Sequence, residues 1–412
     1  MKRVLVVGAG IGQLYIAKKL KERGDYLITV TLPDNQPVIG IADKVIYENV
    51  FDKESVLRKA IEARVEAVVS DQNDTMMPTV SYLAEHLGLP GNSIAVTNAY
   101  CNKNIFRKNC DILGIPVPIH AAVSSSSIPE EMKDIPFPWV VKPADSQSSL
   151  GVTKVSSSDA YVSAVSKALS FSKTHSAIVE EFFSGQELVA EGFIYKGQYY
   201  NLGFADRKYF DLQDIFIPSQ TIFPSLLPAS VLSQITECEC KMAKYVNPDF
   251  AIVHSEYLYN PSIGQFKVVE SALRGGGVYI SSHLIPLYCG IDINDILLDC
   301  ATGKQINIEE IMSHRCDKAS GYICFYLPEG RVISIKGVDS IMSHPSVRMA
   351  DFHGIEIGTQ APPICHKGQR LGPILLSSEN RDELDRSIAE IQQTLSIQVL
   401  SHNGEIKGVM WC

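Results

Sequence analysis

Residues 251–258 read Ala-Ile-Val-His-Ser-Glu-Tyr-Leu and residues 266–271 read Phe-Lys-Val-Val-Glu-Ser, with Asn260, Pro261, Ser262 and Gly264 between them. Two apolar runs parted by turn residues predict a β-hairpin. His254 and Glu256 are two apart, so on a strand both face one side, and the hairpin brings Glu270 to that side too. Two carboxylates converging in a cleft repel unless a cation lies between them, and oxygen-only ligands suit Mg²⁺. Arg274 follows, then Gly275, Gly276 and Gly277, where backbone can approach a ligand with no side chain in the way. An acid pair, an arginine and bare amides are the components of phosphate chemistry on magnesium.

The rest of the chain must build a cleft around that hairpin, and its bulk allows it. A length of 412 residues suffices for two or three domains with real cores. Hydrophobic residues at 45% and charged residues at 20% are ordinary for a globular protein. The formal net charge of −9 argues against a nucleic-acid partner and leaves small anions to a local basic site. Ten cysteines with no CxxC pair predict reduced thiols and a cytoplasmic location. Met1, Lys2 and Arg3 precede only four apolar residues before Gly8, which reads as a first strand rather than a signal peptide. No apolar run approaches the ~18–20 residues of a membrane span, so no membrane partner is expected.

Read from the start, residues 1–97 alternate strand and helix. Strands are expected at 4–7, 27–32 and 67–70, and helices at 13–23, 55–63 and 78–87, an order that predicts a doubly wound parallel sheet. The first turn runs G-x-G-x-G through Gly8, Gly10 and Gly12, and no acidic residue ends the second strand, so the dinucleotide fingerprint is not met. A tight strand-to-helix turn accounts for it, with a substrate anion at the helix start as the alternative. A new unit opens with a helix at 103–113, stopped by Gly114. The strand at 138–143 ends in Lys142 and Pro143 and enters the small polar loop 144–152, which can fold amides over phosphates. After a helix at 158–170, Glu180 and Glu187 lie at strand ends, placed either to meet adenine and ribose or simply to be solvated. Asp206, Arg207 and Lys208 supply two cations ahead of a proline-rich loop. Helix 230–246 leads into the hairpin, and helices at 281–288 and 295–302 follow it. From 321 short strands at 322–327, 332–338 and 372–376, a helix at 381–394 and a strand at 397–399 read as an α+β unit.

In this order and spacing, Lys103, Gly114-Ile115-Pro116-Val117-Pro118, Lys142-Pro143, Val179-Glu180-Glu181-Phe182, Gly185-Gln186-Glu187, Glu256 and Glu270 resemble the ATP-grasp superfamily over nearly the whole chain. The resemblance implies an α/β chain with a doubly wound pre-ATP-grasp domain (1–97), an ATP-grasp domain (98–305) and a small α+β C-terminal domain (306–412). It implies that Lys103 and Lys142 hold ATP phosphates under a loop with Ser146, Ser148, Ser149 and Gly151. It further implies that Glu180 and the backbone of Glu181, Phe182 and Phe183 bind adenine, and that Glu187 binds ribose. Glu256 and Glu270 would coordinate Mg²⁺, with Mn²⁺ as an alternative ion, and Arg274 would steady the transferred phosphate or the tetrahedral intermediate. Two residues after the second metal glutamate the family has Asn; here Ala272 leaves that coordination to water.

His254-Ser255-Glu256, the glycines after Arg274 and residues 369–376 are most similar to the branch that joins carboxylates to amines. That branch includes the L-amino acid ligases, and its ATP-binding domain is like that of the carbamoyl-phosphate synthase large chain. His254 then joins Arg274 and Lys142 as a catalytic candidate, the alternative being a satisfied core histidine. The activity so implied is ATP-dependent amide or peptide bond formation through an acyl phosphate, with small-molecule carboxylate and amine substrates. A homodimer is expected at the level of the family. Three readings stand beside it: a purine-biosynthesis or carbamoyl-phosphate type of enzyme using bicarbonate or a phosphoribosyl amine, a biotin-dependent carboxylase subunit, and a non-catalytic nucleotide-binding regulator.

Overall fold

Short runs of β-branched residues at the start of the chain pair side by side. In the computed structural model, which describes residues 1–146, 150–212, 217–364 and 369–411, they form a parallel sheet. Its order is β3 (Lys44–Tyr47), β2 (Tyr26–Thr31), β1 (Arg3–Val7), β4 (Ala67–Val69). Val4 and Val6 enter one core cluster while Leu5 and Val7 enter another, as a sheet covered on both faces requires. β3 has no counterpart in the sequence expectation, because it lies at the sheet edge with only Ile46 buried and carries no clear period.

The glycine turn after β1 is filled by the chain itself. Gln13 Oε1 accepts from the Gly10 amide at 3.2 Å, and Gln13 Nε2 donates to the Asp71 carbonyl at 2.6 Å.

The helix Lys103–Leu113 forms where expected. Asn102 caps it by accepting from the Asn104 and Ile105 amides (3.1 and 3.2 Å), and Gly114 ends it at φ +63°. Beside it stands a four-stranded antiparallel sheet in the order β5 (His120–Val123), β8 (Ala177–Glu181), β6 (Trp139–Pro143), β7 (Thr153–Val155). Trp139, Val141 and Val179 bury one face of this sheet against Tyr161, Ala164 and Val165 of the helix Ser158–Phe171. Strand alternation therefore sends Lys142 and Glu180 to the other face.

The largest sheet has eight strands. It runs β13 (Gln265–Ala272), β12 (Phe250–Asn260), β9 (Gln186–Tyr195), β10 (Gln198–Tyr209), β11 (Pro218–Phe223), β14 (Ala319–Phe325), β18 (Leu371–Ser378), β16 (Val347–Ala350). Its strands come from both sides of residue 305, so the C-terminal stretch extends the same sheet. A smaller sheet, β17 (Gln360–Ala361), β15 (Gly330–Lys336), β19 (Ser396–Leu400), β20 (Ile406–Lys407), completes the C-terminal end. On one face of the large sheet Leu188, Ala190, Val253 and Tyr257 pack against Val231, Ile235 and Met242 of the helix Ala229–Val246. On the other face Val189, Phe193 and Ile252 share a core with Val4 and Val6 of the first sheet. Among the described residues no helix is long and apolar enough to cross a membrane.

Candidate active site

The hairpin is β12 and β13, and Glu256 stands directly opposite Glu270 in its register. Opposed residues of an antiparallel pair have Cβ atoms only ~4.5–5.5 Å apart. The two carboxylates therefore face one space, each with its own cation. Arg207 Nη1 donates to Glu256 at 2.5 Å, and Lys103 Nζ donates to Glu270 at 3.2 Å. A bulge after Glu256 leaves Val269 as the extra residue of β13, and its carbonyl accepts from Arg107 Nη2 at 2.7 Å. Among the described residues no group of three or more His, Cys, Asp or Glu is gathered for a metal ion. An opposed carboxylate pair still fits magnesium, which takes one or two protein carboxylates and completes its shell with water and substrate phosphates. Ala272, buried opposite His254, adds no ligand.

His254 lies between two acids on that same face. Its Nδ1 is hydrogen-bonded to the fully buried Glu191, and its Nε2 is 3.3 Å from Glu256 Oε1. Burial pulls the imidazole pKa down, but the Glu191 carboxylate outweighs that and the net shift is upward. The Nε2 contact of His254 helps hold Glu256 in place.

Glu187, on β9, shares the guanidinium of Arg207. Arg207 Nη1 donates to Glu187 at 2.8 Å as well as to Glu256, and the Tyr209 hydroxyl also donates to Glu187. One cation cannot fully satisfy two half-buried acids. Burial and then the Glu256 charge push Glu187 up to about 7, while Glu256, held by Arg207 and His254 against the effect of burial, moves far down.

Lys142 approaches from the four-stranded antiparallel sheet and Lys103 from the start of the helix beside it. The Lys103 amide donates to the Ala144 carbonyl at 2.9 Å and its ammonium to the Ser146 carbonyl at 2.8 Å, which joins the helix start to the base of the polar loop. Ser148 and Ser149 lie outside the described residues. Gly151 closes the loop at φ +77°, where an added Cβ would come within 2.8 Å of the Pro143 ring, so glycine is required there twice over. Glu180 receives Lys142 Nζ at 2.7 Å on one oxygen and Arg107 Nε at 2.7 Å on the other. Burial would raise its pKa, yet Arg107 and Lys142 hold it at about 2. In this arrangement Glu180 is the counter-ion of Lys142, with both oxygens occupied. Glu181 pairs with Lys267 and accepts from the Ile119 amide at 3.1 Å, and Phe182 and Phe183 lie under Lys154 and Lys267.

Arg274 reaches the segment after β4. Its Nε and Nη2 make a two-point pair with Asp74 at 2.7 and 2.9 Å. The glycines after it carry internal duties. Asp71 accepts from the Gly275 amide and from the Ser281 hydroxyl, both at 2.7 Å, and Glu191 accepts from the Gly276 amide at 3.4 Å. Ligand approach was expected of this backbone; instead a Cβ on Gly275 would fall 2.8 Å from Asp71 Oδ1, so the missing side chain admits the chain's own carboxylates.

Sequence reasoning did not single out Asp71, Asp74, Arg107, Glu191 or Arg207 as site residues. Asp71 and Asp74 follow β4, at the carboxyl edge of the parallel sheet, where α/β folds place ligands. Arg207 needed β10 to be read as a strand, which would have set it on the same face as its register partner Glu187. A cavity of about 260 Å³ opens onto Glu270, Lys103 and Asp74 and reaches Lys53 and Lys173.

Residues 110–247 match the family described as D-ala D-ala ligase C-terminus. The chain is 24% identical over 238 residues to the D-alanine--D-alanine ligase of Wolbachia pipientis wMel, covering 56% of this chain and 70% of that one. Its structure is similar to the L-amino acid ligase from Bacillus licheniformis, with a TM-score of 0.80 at 20% identity, covering 96% of this chain and 98% of that one. It is also similar to phosphoribosylglycinamide synthetase from Anaerococcus prevotii, with a TM-score of 0.76 at 17% identity over 96% of this chain and 99% of that one. The order of sheets and the likeness to these solved structures give this chain the ATP-grasp fold, and residues 110–247 carry the match to the D-ala D-ala ligase C-terminal family.

Proposed function

We propose that the protein is an ATP-dependent ligase that joins a carboxylate to an amine through an acyl phosphate, releasing ADP and phosphate. The observation that carries this reading is the opposed pair Glu256 and Glu270, bonded to Arg207 and Lys103, with Glu270 and Lys103 lining one cavity. The names of the relatives, D-alanine--D-alanine ligase and L-amino acid ligase, support it.

Glu256 and Glu270 would hold Mg²⁺, which when bound offsets charge on the phosphates. Lys103 and Lys142 would meet the nucleotide phosphates and add fixed positive charge to the transferring group. The substrate carboxylate oxygen attacks the γ-phosphorus and ADP leaves; an amine then attacks the acyl carbon and phosphate leaves. Arg274 stands beside the floor for the oxyanion once Asp74 shares it. The loop starting at Ser146 would shield the mixed anhydride from water. Glu181, Phe182 and Phe183 offer backbone for adenine, and Glu187 a carboxyl for ribose.

Glu270→Ala is expected to abolish magnesium-dependent ADP release across paired amino acids while the circular dichroism spectrum stays that of the wild type. Wild-type turnover in that variant would remove the metal assignment.

A further inference from the structure

The cavity above Glu270 has two ends of different character. Its floor is Glu270 with Lys103, and Lys103 is neutralised by that carboxylate at 3.2 Å. Its mouth is formed by Phe51 and Lys53 of the first domain and by Lys173, in the turn before β8. Lys53 is the first residue of the helix Lys53–Glu62, and its ammonium lies 5.9 Å from the Tyr82 ring. The Lys173 ammonium rests 3.3 Å from the centre of the Phe51 ring.

Among the described residues neither lysine is ion-paired. The nearby acid is Asp145, and its oxygens already accept from the Lys173 and Thr174 amides at 3.3 and 2.9 Å. Lys103 and Lys142, deeper in the site, each have a glutamate. Burial lowers the Lys173 pKa, Asp145 opposes that, and Lys53 adds to the fall, so the two ammonium groups feel one another across the mouth. An anion placed between them would relieve that repulsion, and the Phe51 ring gives its carbon chain an apolar flank.

The volume of about 260 Å³ lies just below the ~300 Å³ at which small-molecule sites begin, so it suits a short acid. If the reacting carboxylate meets the phosphoryl group above Glu270, the far end of that acid points at Lys53 and Lys173. Building on the ligase reading, we propose that the acid activated here carries a second anionic group, carboxylate or phosphate, and that Lys53 and Lys173 select it. Lys53 and Lys173 are thus specificity residues supplied by two different domains, and the first domain reads the distal charge.

The test uses the full chain and three acids of similar length: butanoate, succinate and 3-phosphonopropionate. Binding is titrated calorimetrically in the presence of Mg-ADP, and phosphate release from Mg-ATP is followed with a mixture of amino acids as amines. The expected result is that one or both dianions bind roughly tenfold or more tightly than butanoate. The stronger of the two identifies the distal group as carboxylate or phosphate. In Lys53→Met and Lys173→Met the preference over butanoate collapses toward one, with the KM for ATP unchanged. Equal binding of all three acids overturns the proposal, as does a rise in the KM for ATP in either variant, which would assign the lysines to the nucleotide. Dianion binding that is lost in Lys53→Met but never accompanied by phosphate release would sink the ligase reading and keep the anion site.

Discussion

Arg207 shows how much one residue can carry. Its guanidinium lies 7% exposed between two carboxylates on neighbouring strands, and it is the group that lets Glu187 and Glu256 share one sheet face. Arg207→Met would leave two half-buried acids in mutual repulsion; removing one partner of a fully buried pair costs about 3–5 kcal/mol, and partial exposure lowers the figure here. Urea denaturation is expected to show a loss of that order, and a midpoint unchanged from wild type would refute the shared-cation account. Glu187 sets a pH dependence of its own. Its folded pKa, about 7, stands above its ordinary value of 4.5, so between those values the folded state holds a proton that the unfolded chain has lost. The stability it contributes is complete below pH 4.5 and is lost as pH rises through about 7, by at most ~1.4 kcal/mol per pH unit. The difference in unfolding free energy between wild type and Glu187→Gln should therefore change across that window; parallel profiles would contradict the assignment. The sequence alone exposed Glu187 and Glu256 as acids at strand ends and on the hairpin. It concealed their coupling, because Arg207 joins them across strands distant in the chain.

At the scale of elements, periodicity and stop signals served well where helices were long and ended in glycine. The helix Lys103–Leu113 has its expected limits because Asn102 and Gly114 supply cap chemistry at both ends. The helix Arg381–Thr394 likewise begins at a capping asparagine, Asn380, whose side chain accepts from the Glu383 amide. Strands were less legible. β10 spans Gln198–Tyr209, and its alternation is hidden by Asp206 and Arg207, adjacent charged residues that are both buried for electrostatic reasons. β5 is four residues long and reads only as extended chain. The hairpin was legible because His254 and Glu256 sit two apart on one strand, yet the bulge at Val269 was not, since the carbonyl it frees meets Arg107 from outside the strand.

The whole molecule binds its first unit to the second by three kinds of force. Hydrophobic packing joins Val4 and Val6 to Val189, Phe193 and Ile252. Ion pairs join Lys19 and Arg23, at the end of the helix Ile11–Glu22, to Asp292, Asp295 and Asp299. Asp71 and Asp74 hold the backbone and side chain beyond the hairpin. A chain of residues 98–412 should accordingly fail to reach the fold, giving aggregated material by gel filtration and no cooperative melt; a monodisperse product melting with the full chain would show the units to be independent. The small sheet β5–β8–β6–β7 is attached differently, through ion pairs such as Arg107–Glu180 and Lys267–Glu181 and through hydrogen bonds such as that of the Lys103 amide to Ala144. Mechanically, the molecule is then a vessel whose floor and back wall are cast in one piece and whose roof is hung on charges. Because Arg107–Glu180 is shut away from solvent, salt reaches it little; ionic strength loosens first the half-exposed pairs of Lys19 and Arg23 on the back wall.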